Sequence, residues 1–290
     1  MPCSAITLSL GTITGIIATA LLIIAFLTDN WLYTEVKRAQ IQQYASKHPE
    51  QTHIVDQINK KYYYYTRTQG LFRICYPKDR PPTVQTYLSM VETHCHNINY
   101  FLSSDDDDQM KAFTEDATTR LNLGRGVLIL FICAFASIFV SLWTGFIGCW
   151  KRSYGNITAT AIFMLLACLL SAGAMGVWHG VEYYEKEKIV GEEYYQQWSN
   201  VLKDNSVISY DWSYMVAWVG VGWSLVSAIL FIASAICLRG ERMREEAMNM
   251  QYLMPVYPQK QQYAYAGYPA PAAYPGPYYH GSQSYATYNY

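Results

Sequence analysis

The sequence predicts a membrane α-helical protein with four transmembrane helices, a small β-sheet in the first loop and a disordered tail. Three observations predict this fold class. Four apolar blocks without Asp, Glu, Lys or Arg are each long enough to cross a bilayer, which takes about 20 residues. Only two of the seven cysteines lie in a large polar loop. The final segment is rich in Tyr, Pro, Ala and Gly and has almost no charge.

The four predicted spans are 5–27, 126–150, 157–181 and 214–238. A soluble helix of this length seldom lacks charges, because one of its faces meets water. The first span follows the short segment 1–4, which lacks the basic start of a signal peptide, and its apolar run is longer than in such peptides. We therefore expect the first span to be retained.

Basic residues predict the orientation of the spans. The link 151–156 begins with a Lys-Arg pair, and three arginines lie near the start of the tail, 239–290. The positive-inside rule places both in the cytoplasm, together with the amino terminus, and the loops 28–125 and 182–213 then face outward. The signal is mixed, since 182–213 carries three lysines. On this topology the sequon at Asn156 faces the cytosol, and we expect it to remain unglycosylated.

The cysteines support the same orientation. Cys75 and Cys95 are the isolated pair in the first loop, which suits a disulfide in an oxidising compartment. Such a bridge closes a loop of about 20 residues and stabilises by roughly 3 kcal/mol. The alternative is two free thiols on a cytosolic loop. Cys149 and Cys237, near the cytoplasmic ends of spans, are candidate palmitoylation sites, with apolar packing as the alternative role.

The two large loops differ in their predicted structure. In the first, residues 39–60 read as a polar, partly helical insertion, and the aromatic-rich stretch 62–76 favours a strand. Residues 84–100 are expected to return as a strand tied to it by a disulfide, before a helical approach to the second span. The second loop is rich in tyrosine and tryptophan, which indicates either contact area for partners or an aromatic belt at headgroup level.

A family signature is visible in the first loop. The tryptophan, the run GLFRIC and the second cysteine resemble the W…GLW-x-x-C…C signature of the claudin superfamily, which also holds peripheral-myelin, epithelial-membrane and calcium-channel γ-subunit proteins. An arginine before the second span resembles the one found there in many claudins. The residues concerned are Trp31, Gly70, Leu71, Phe72, Cys75, Cys95 and Arg125. Phe72 stands where the signature usually has Trp, and both loop spacings are longer than in typical claudins.

The resemblance implies a left-handed four-helix bundle with an outward antiparallel sheet braced by the disulfide. It also implies that Gly70, Leu71 and Phe72 lie on a strand facing the membrane end of the bundle, with Trp31 as their neighbour. A small sheet is not stable by itself in water, so an apolar plug and a covalent tie are expected.

Other chemistries are disfavoured. A net charge of −1 argues against a nucleic-acid partner, and no nucleophile–base pattern, P-loop or dinucleotide fingerprint points to an enzyme or a cofactor. His94 and His96 flank Cys95, but strand alternation places both on the face opposite the cysteine, so we expect no metal site. Asp105–Asp108 lacks the spacing of a calcium loop and reads as a solvated turn.

The resemblance implies a plasma-membrane protein of cell–cell junctions that contributes to adhesion and a paracellular barrier. Like molecules would meet in cis and in trans, with membrane lipid around the spans. The alternatives are an auxiliary subunit of an ion channel or receptor, and a membrane-organising tetraspan. In the tail, Tyr288 and Tyr290 fit an aromatic-x-aromatic carboxylate motif of the kind that cytoplasmic PDZ scaffolds bind.

Overall fold

A computed structural model describes residues 3–48, 52–100 and 115–253. The helices are α1 (Cys3–Leu27), α2 (Arg38–Lys47), α3 (Thr52–Lys60), α4 (Glu115–Lys151), α5 (Tyr154–Tyr183), α6 (Asn200–Asp204) and α7 (Trp212–Leu253). The strands are β1 (Leu32–Val36), β2 (Arg67–Gln69), β3 (Arg73–Tyr76), β4 (Tyr87–Leu88), β5 (His94–Asn97) and β6 (Ser206–Tyr210). The chain divides into two compact units, Met1–Glu241 and Arg242–Tyr290.

Among the described residues, four helices are long and apolar enough to cross a membrane, which confirms the four predicted spans: α1, α4, α5 and α7. Two of them extend beyond their apolar blocks towards the sheet. Helix α4 begins at Glu115. The acidic residues of its first turn stabilise the helix because they interact favourably with the positive end of the helix dipole. Helix α5 continues through a π-helical turn, Tyr184–Lys188, so that the spans rise above the apolar layer.

Within the described part of the chain, the sheet has six antiparallel strands in the order β4-β5-β3-β2-β1-β6. Five come from the first loop, as expected. The sixth, β6, comes from the second loop and pairs with β1 over five residues, with Thr34 opposite Ile208. The predicted antiparallel sheet of the first loop is therefore confirmed, and the second loop adds a strand that was not predicted from the sequence.

The stretch 62–76 was expected to form one strand, and this prediction was wrong. Residues 62–64 form a 3-10 turn, and β2 and β3 then pair as a hairpin. The hairpin turn is closed by the amide of Gly70, which donates to the carbonyl oxygen of Arg73 at 2.9 Å. A tight turn at this point turns the chain back, and Leu71 and Phe72 occupy the turn instead of a strand.

A separate apolar core lies beside the sheet. Helices α2 and α3 correspond to the predicted insertion, and they bury Ile41 and Ile58. The second loop contributes Trp198 and Leu202 to the same core, alongside Tyr64. The insertion is therefore packed against both loops, and its helices are held by tertiary contacts because short isolated helices are marginal in water.

Small residues bring α1 and α7 close together. A Cβ added at Gly15 would lie 2.9 Å from the Ser227 hydroxyl oxygen, and one at Gly11 would touch Phe231 at 3.4 Å. The Ser227 hydroxyl donates to the carbonyl oxygen of Gly11 at 2.8 Å. This glycine pair therefore packs within the bundle, as close approach of backbones in lipid requires.

Candidate functional site

Trp31 fills the apolar space between the sheet and the helices. Its side chain is fully buried and contacts three aromatic rings edge-on or tilted, with ring centroids at 5.3–6.2 Å: Phe131 of α4, Trp178 of α5 and Tyr214 of α7. The indole N–H donates to the carbonyl oxygen of Ala25 at 2.7 Å. One side chain thereby joins the chain leaving α1 to the other three spans.

The β2–β3 turn rests on the same end of the bundle. Leu71 is buried in the cluster that contains Trp31, and Phe72 packs edge-to-face on Phe26 with ring centroids 5.0 Å apart. A Cβ at Gly70 would lie 2.5 Å from the Cα of Asp29, so only glycine allows this approach. The phenylalanine at the signature's tryptophan position therefore fills an apolar contact with α1.

An ion pair that no sequence motif predicted holds this turn in place. The Arg73 guanidinium donates through Nε to Asp29 Oδ1 at 3.1 Å, and the pair is partly buried. Burial raises the pKa of Asp29 above its ordinary value, although Arg73 acts in the opposite direction. The hydrogen bond to Asp29 raises the pKa of Arg73. Since Asp29 lies two residues after the end of α1, the pair holds β3 against that end of the helix.

The predicted disulfide is confirmed. Cys75 of β3 and Cys95 of β5 lie opposite each other in the strand register, and their sulfur atoms are bonded. Both residues are buried. The bridge therefore ties the outer hairpin, which carries β4 and β5, to the part of the sheet that rests on the helices.

Arg125 holds the chain that leaves β5. Its Nε and Nη2 donate to the carbonyl oxygen of Tyr100 at 2.8 and 2.6 Å. The Tyr100 hydroxyl in turn donates to the carbonyl oxygen of Leu71 at 2.7 Å, and burial raises its pKa to about 12. Gly124 makes room for the tyrosine ring. The sequence resemblance singled out Arg125, but nothing in the sequence marked Tyr100.

The two loops are joined by a cluster of partly buried charged side chains. Arg120 of α4 donates through Nε and Nη2 to one oxygen of Glu185, at 3.2 and 2.8 Å. Gln69 of β2 donates to the same oxygen at 3.5 Å. Arg67 is buried more deeply than Arg120 and Glu185, with its guanidinium 5.7 Å from the centroid of the Trp198 ring. These contacts hold the sheet, α4 and the second loop together, and sequence reasoning missed all of them.

The histidines beside the disulfide form no metal centre in the described part of the chain, where no group of three or more His, Cys, Asp or Glu side chains could hold an ion. His96 stacks on Tyr76 with ring centroids 5.8 Å apart. Burial lowers the pKa of His96, and the positive charge of Arg67 lowers it further. The residues 105–108 lie outside the described residues.

The two palmitoylation candidates differ. Cys149 has an exposed free thiol near the end of α4, so palmitoylation there stays a prediction. Cys237 is disulfide-bonded and has no thiol to acylate, so the prediction for this residue was wrong for the state described. The candidate PDZ-binding positions Tyr288 and Tyr290 lie outside the described residues.

One edge of the sheet is apolar and exposed. Strand β4 ends the strand order and has no further neighbour among the described strands. Tyr87 and Leu88 of this strand are exposed, and Met90 and Val91 in the following turn are 103% and 78% exposed. Glu92 completes the turn with a φ of 57°. The β4–β5 hairpin therefore presents four apolar side chains to its surroundings.

The fold and the site define a class: a four-span membrane protein whose first loop forms a disulfide-braced sheet, seated on the bundle through a buried tryptophan. Residues 16–233 match the family described as PMP-22/EMP/MP20/Claudin tight junction. This match covers more than half of the chain, and the chain belongs to that family. Among curated proteins, no sequence matches the chain.

Proposed function

We propose that the protein is a claudin-like adhesion and barrier protein of cell–cell junctions, with its sheet on the outer side of the plasma membrane. The observation that carries the proposal is the exposed apolar edge formed by Tyr87, Leu88, Met90 and Val91. An exposed edge strand offers unpaired backbone groups to another chain, and an apolar surface of this kind is stabilised when a partner covers it.

The rigidity of the sheet supports the same function. Because β6 pairs with β1 and Arg120 bonds Glu185, both loops belong to one body seated on the helices. A surface held in one arrangement loses little entropy when it associates. Like molecules are therefore suitable partners, side by side in one membrane and head-on across the gap between cells.

The test uses a polarised epithelium in which the protein is tagged and then depleted. We expect the tag at cell–cell contacts, an increased paracellular tracer leak after depletion, and rescue by the wild-type chain. The Met90→Ser/Val91→Ser variant is expected to reach the surface and rescue poorly, because its hairpin no longer buries apolar area. A Val190→Ser/Val207→Ser variant alters two other exposed valines and is expected to rescue fully. A normal barrier after depletion would reject the proposal.

A second observation favours the auxiliary-subunit alternative. Phe139, Trp143, Phe146 and Trp150 of α4 are all at least 63% exposed. Their spacing of three and four residues places them in one stripe along the helix. Such a stripe suits packing against the spans of a pore-forming partner.

This alternative predicts co-purification with a pore subunit and altered gating. A Phe139→Leu/Trp143→Leu variant would then lose the partner while its barrier activity stays unchanged. If depletion removed the barrier function but left channel currents unaltered, the auxiliary-subunit alternative would be rejected and the junction proposal retained.

The proposed topology places both termini in the cytoplasm, because Lys151, Arg152 and Arg239 lie at the end of the bundle opposite the sheet. The carboxylate motif at Tyr288 and Tyr290 would then reach a cytoplasmic PDZ scaffold. A carboxy-terminal tag is expected to bind antibody only after permeabilisation. A sequon inserted into the loop 182–213 is expected to be glycosylated, while Asn156 is not.

A further inference from the structure

A groove runs between α5 and α7 at the end of the bundle away from the sheet. Its volume is about 390 Å³, within the range of small-molecule sites. The floor consists of small side chains that belong to a buried cluster, Ala161 and Ala235. The walls are Ile162, Leu165 and Ile232, all exposed on the outer surface of the bundle. The groove therefore opens towards the lipid.

A polar side chain of α5 that lines the groove already has a hydrogen-bond partner within the helix. This residue is Thr158, whose hydroxyl donates to the carbonyl oxygen of Tyr154 at 2.9 Å. A hydrocarbon chain fits such a surface, because the chain has no polar group that would need a hydrogen-bond partner from the groove. The lining residues on α5 run from Tyr154 to Leu165, a length of about 16 Å at 1.5 Å per residue. This length matches one leaflet of a hydrocarbon core about 30 Å thick.

The open end of the groove is positively charged. Arg239 lines it and is exposed, and among the described residues it has no hydrogen-bond or ion-pair partner. Lys151 and Arg152, which precede Tyr154, are exposed at the same end of the bundle. None of the described residues that line the groove is acidic. An acyl chain in the groove would place its headgroup phosphate beside Arg239.

We propose that this groove binds an anionic phospholipid, with one acyl chain between α5 and α7 and the phosphate paired with Arg239. Phosphatidylcholine also carries a phosphate, but its choline cation balances that charge. An anionic headgroup therefore neutralises the arginine more fully than a zwitterionic lipid or an apolar partner helix does. On the topology proposed above, the lipid belongs to the cytoplasmic leaflet, where anionic lipids are concentrated. The binding itself does not depend on that topology.

The test uses the full-length protein in nanodiscs of equal parts phosphatidylserine and phosphatidylcholine, extracted gently and measured by native mass spectrometry. We expect the wild type to retain phosphatidylserine in preference to phosphatidylcholine. The Arg239→Gln variant is expected to lose about fivefold in this preference, as the removal of one cation near a lipid headgroup implies. Arg242→Gln removes the same charge outside the groove and is expected to retain the preference.

A second pair of variants tests the groove itself. Thr158→Phe fills it and keeps Arg239, so total lipid retention should fall for both headgroups. Thr12→Phe is the matched control, because Thr12 is also exposed on a spanning helix and its hydroxyl also bonds the carbonyl four residues earlier. All four variants alter exposed side chains, and a monodisperse elution profile checks that each is folded.

Three results would overturn the proposal. Equal retention of the two lipids by the wild type removes the selectivity. An equal loss of phosphatidylserine preference in Arg239→Gln and Arg242→Gln would show that the preference is a general effect of positive charge. A Thr158→Phe variant that loses a dimer instead of a lipid assigns the groove to a second copy of the chain. Since nanodiscs contain the same lipids on both sides, failure here leaves the junction proposal and its topology untouched.

Discussion

The indole N–H of Trp31 donates a hydrogen bond to the carbonyl oxygen of Ala25, in the last turn of α1. The last four carbonyl groups of a helix have no partner within the helix. Trp31 therefore both fills the apolar gap under the sheet and caps the helix from which its own strand emerges.

Trp31→Phe is expected to lower the free energy of unfolding by about 1–3 kcal/mol, because it removes the hydrogen bond and leaves a small cavity. Trp31→Ala should cost more, about 3–5 kcal/mol. Unfolding in detergent by SDS titration measures both. Trp143→Phe on the exposed face of α4 is the control, and an equal loss there would show that the buried contact is unimportant.

Gly70→Ala is expected to destabilise by about 1–3 kcal/mol, because its methyl group would overlap the backbone of Asp29. The turn would have to move away and loosen the Asp29–Arg73 pair. Gly173→Ala in α5 should instead leave the thermal midpoint unchanged or raise it, since alanine favours helix. Among the described residues, nothing beyond the adjoining helical backbone lies within 4 Å of the added group. A neutral Gly70→Ala variant would refute the close approach.

Replacing both disulfide cysteines, Cys75→Ser/Cys95→Ser, is expected to cost about 3 kcal/mol for the 20-residue separation. In the wild type, denatured without reductant, maleimide should label Cys133 and Cys168 but neither bridged residue. Mass spectrometry of the labelled peptides reads this out. Labelling of Cys75 before reduction would show that the bridge is absent from the native protein.

Arg120→Leu is expected to cost about 1.5–3 kcal/mol, because it leaves the partly buried Glu185 carboxylate without its charged partner. The double variant Arg120→Leu/Glu185→Leu should recover part of this loss, which a double-mutant cycle measures. Lys61→Leu breaks an exposed pair with Glu192 and should cost at most about 1 kcal/mol. If Arg120→Leu and Lys61→Leu lowered the free energy of unfolding by similar amounts, burial of the Arg120–Glu185 pair would not explain its contribution.

Acidification is expected to weaken the sheet through His96. Its pKa is lowered in the folded chain from an ordinary value of 6.5, so the unfolded chain takes up the proton first as pH falls. Stability from this residue is therefore complete above about pH 6.5 and declines below it. The pH dependence of thermal unfolding checks this, and His96→Gln should flatten the curve between pH 7 and 5 (roughly the range in which histidine titrates). An unchanged curve in the variant would rule out His96 as the titrating group.

Local sequence patterns determined the spans and the bridge. Uninterrupted apolar runs leave a bilayer as the only environment that satisfies both side chains and backbone. With the other five cysteines within or near the spans, the pairing of Cys75 with Cys95 needed no knowledge of the fold. The family resemblance predicted that Trp31, Leu71 and Phe72 lie together at the membrane end of the sheet.

Tertiary structure alone decided how the second loop joins the first. The pairing of Thr34 with Ile208 and the contact of Arg120 with Glu185 connect segments that lie far apart in the chain. Short strands carry little local signal, and a buried arginine looks like a surface arginine until its partners are known. The alignment of these partners depends on the packing of the four helices, which brings the two loops together at one end of the bundle.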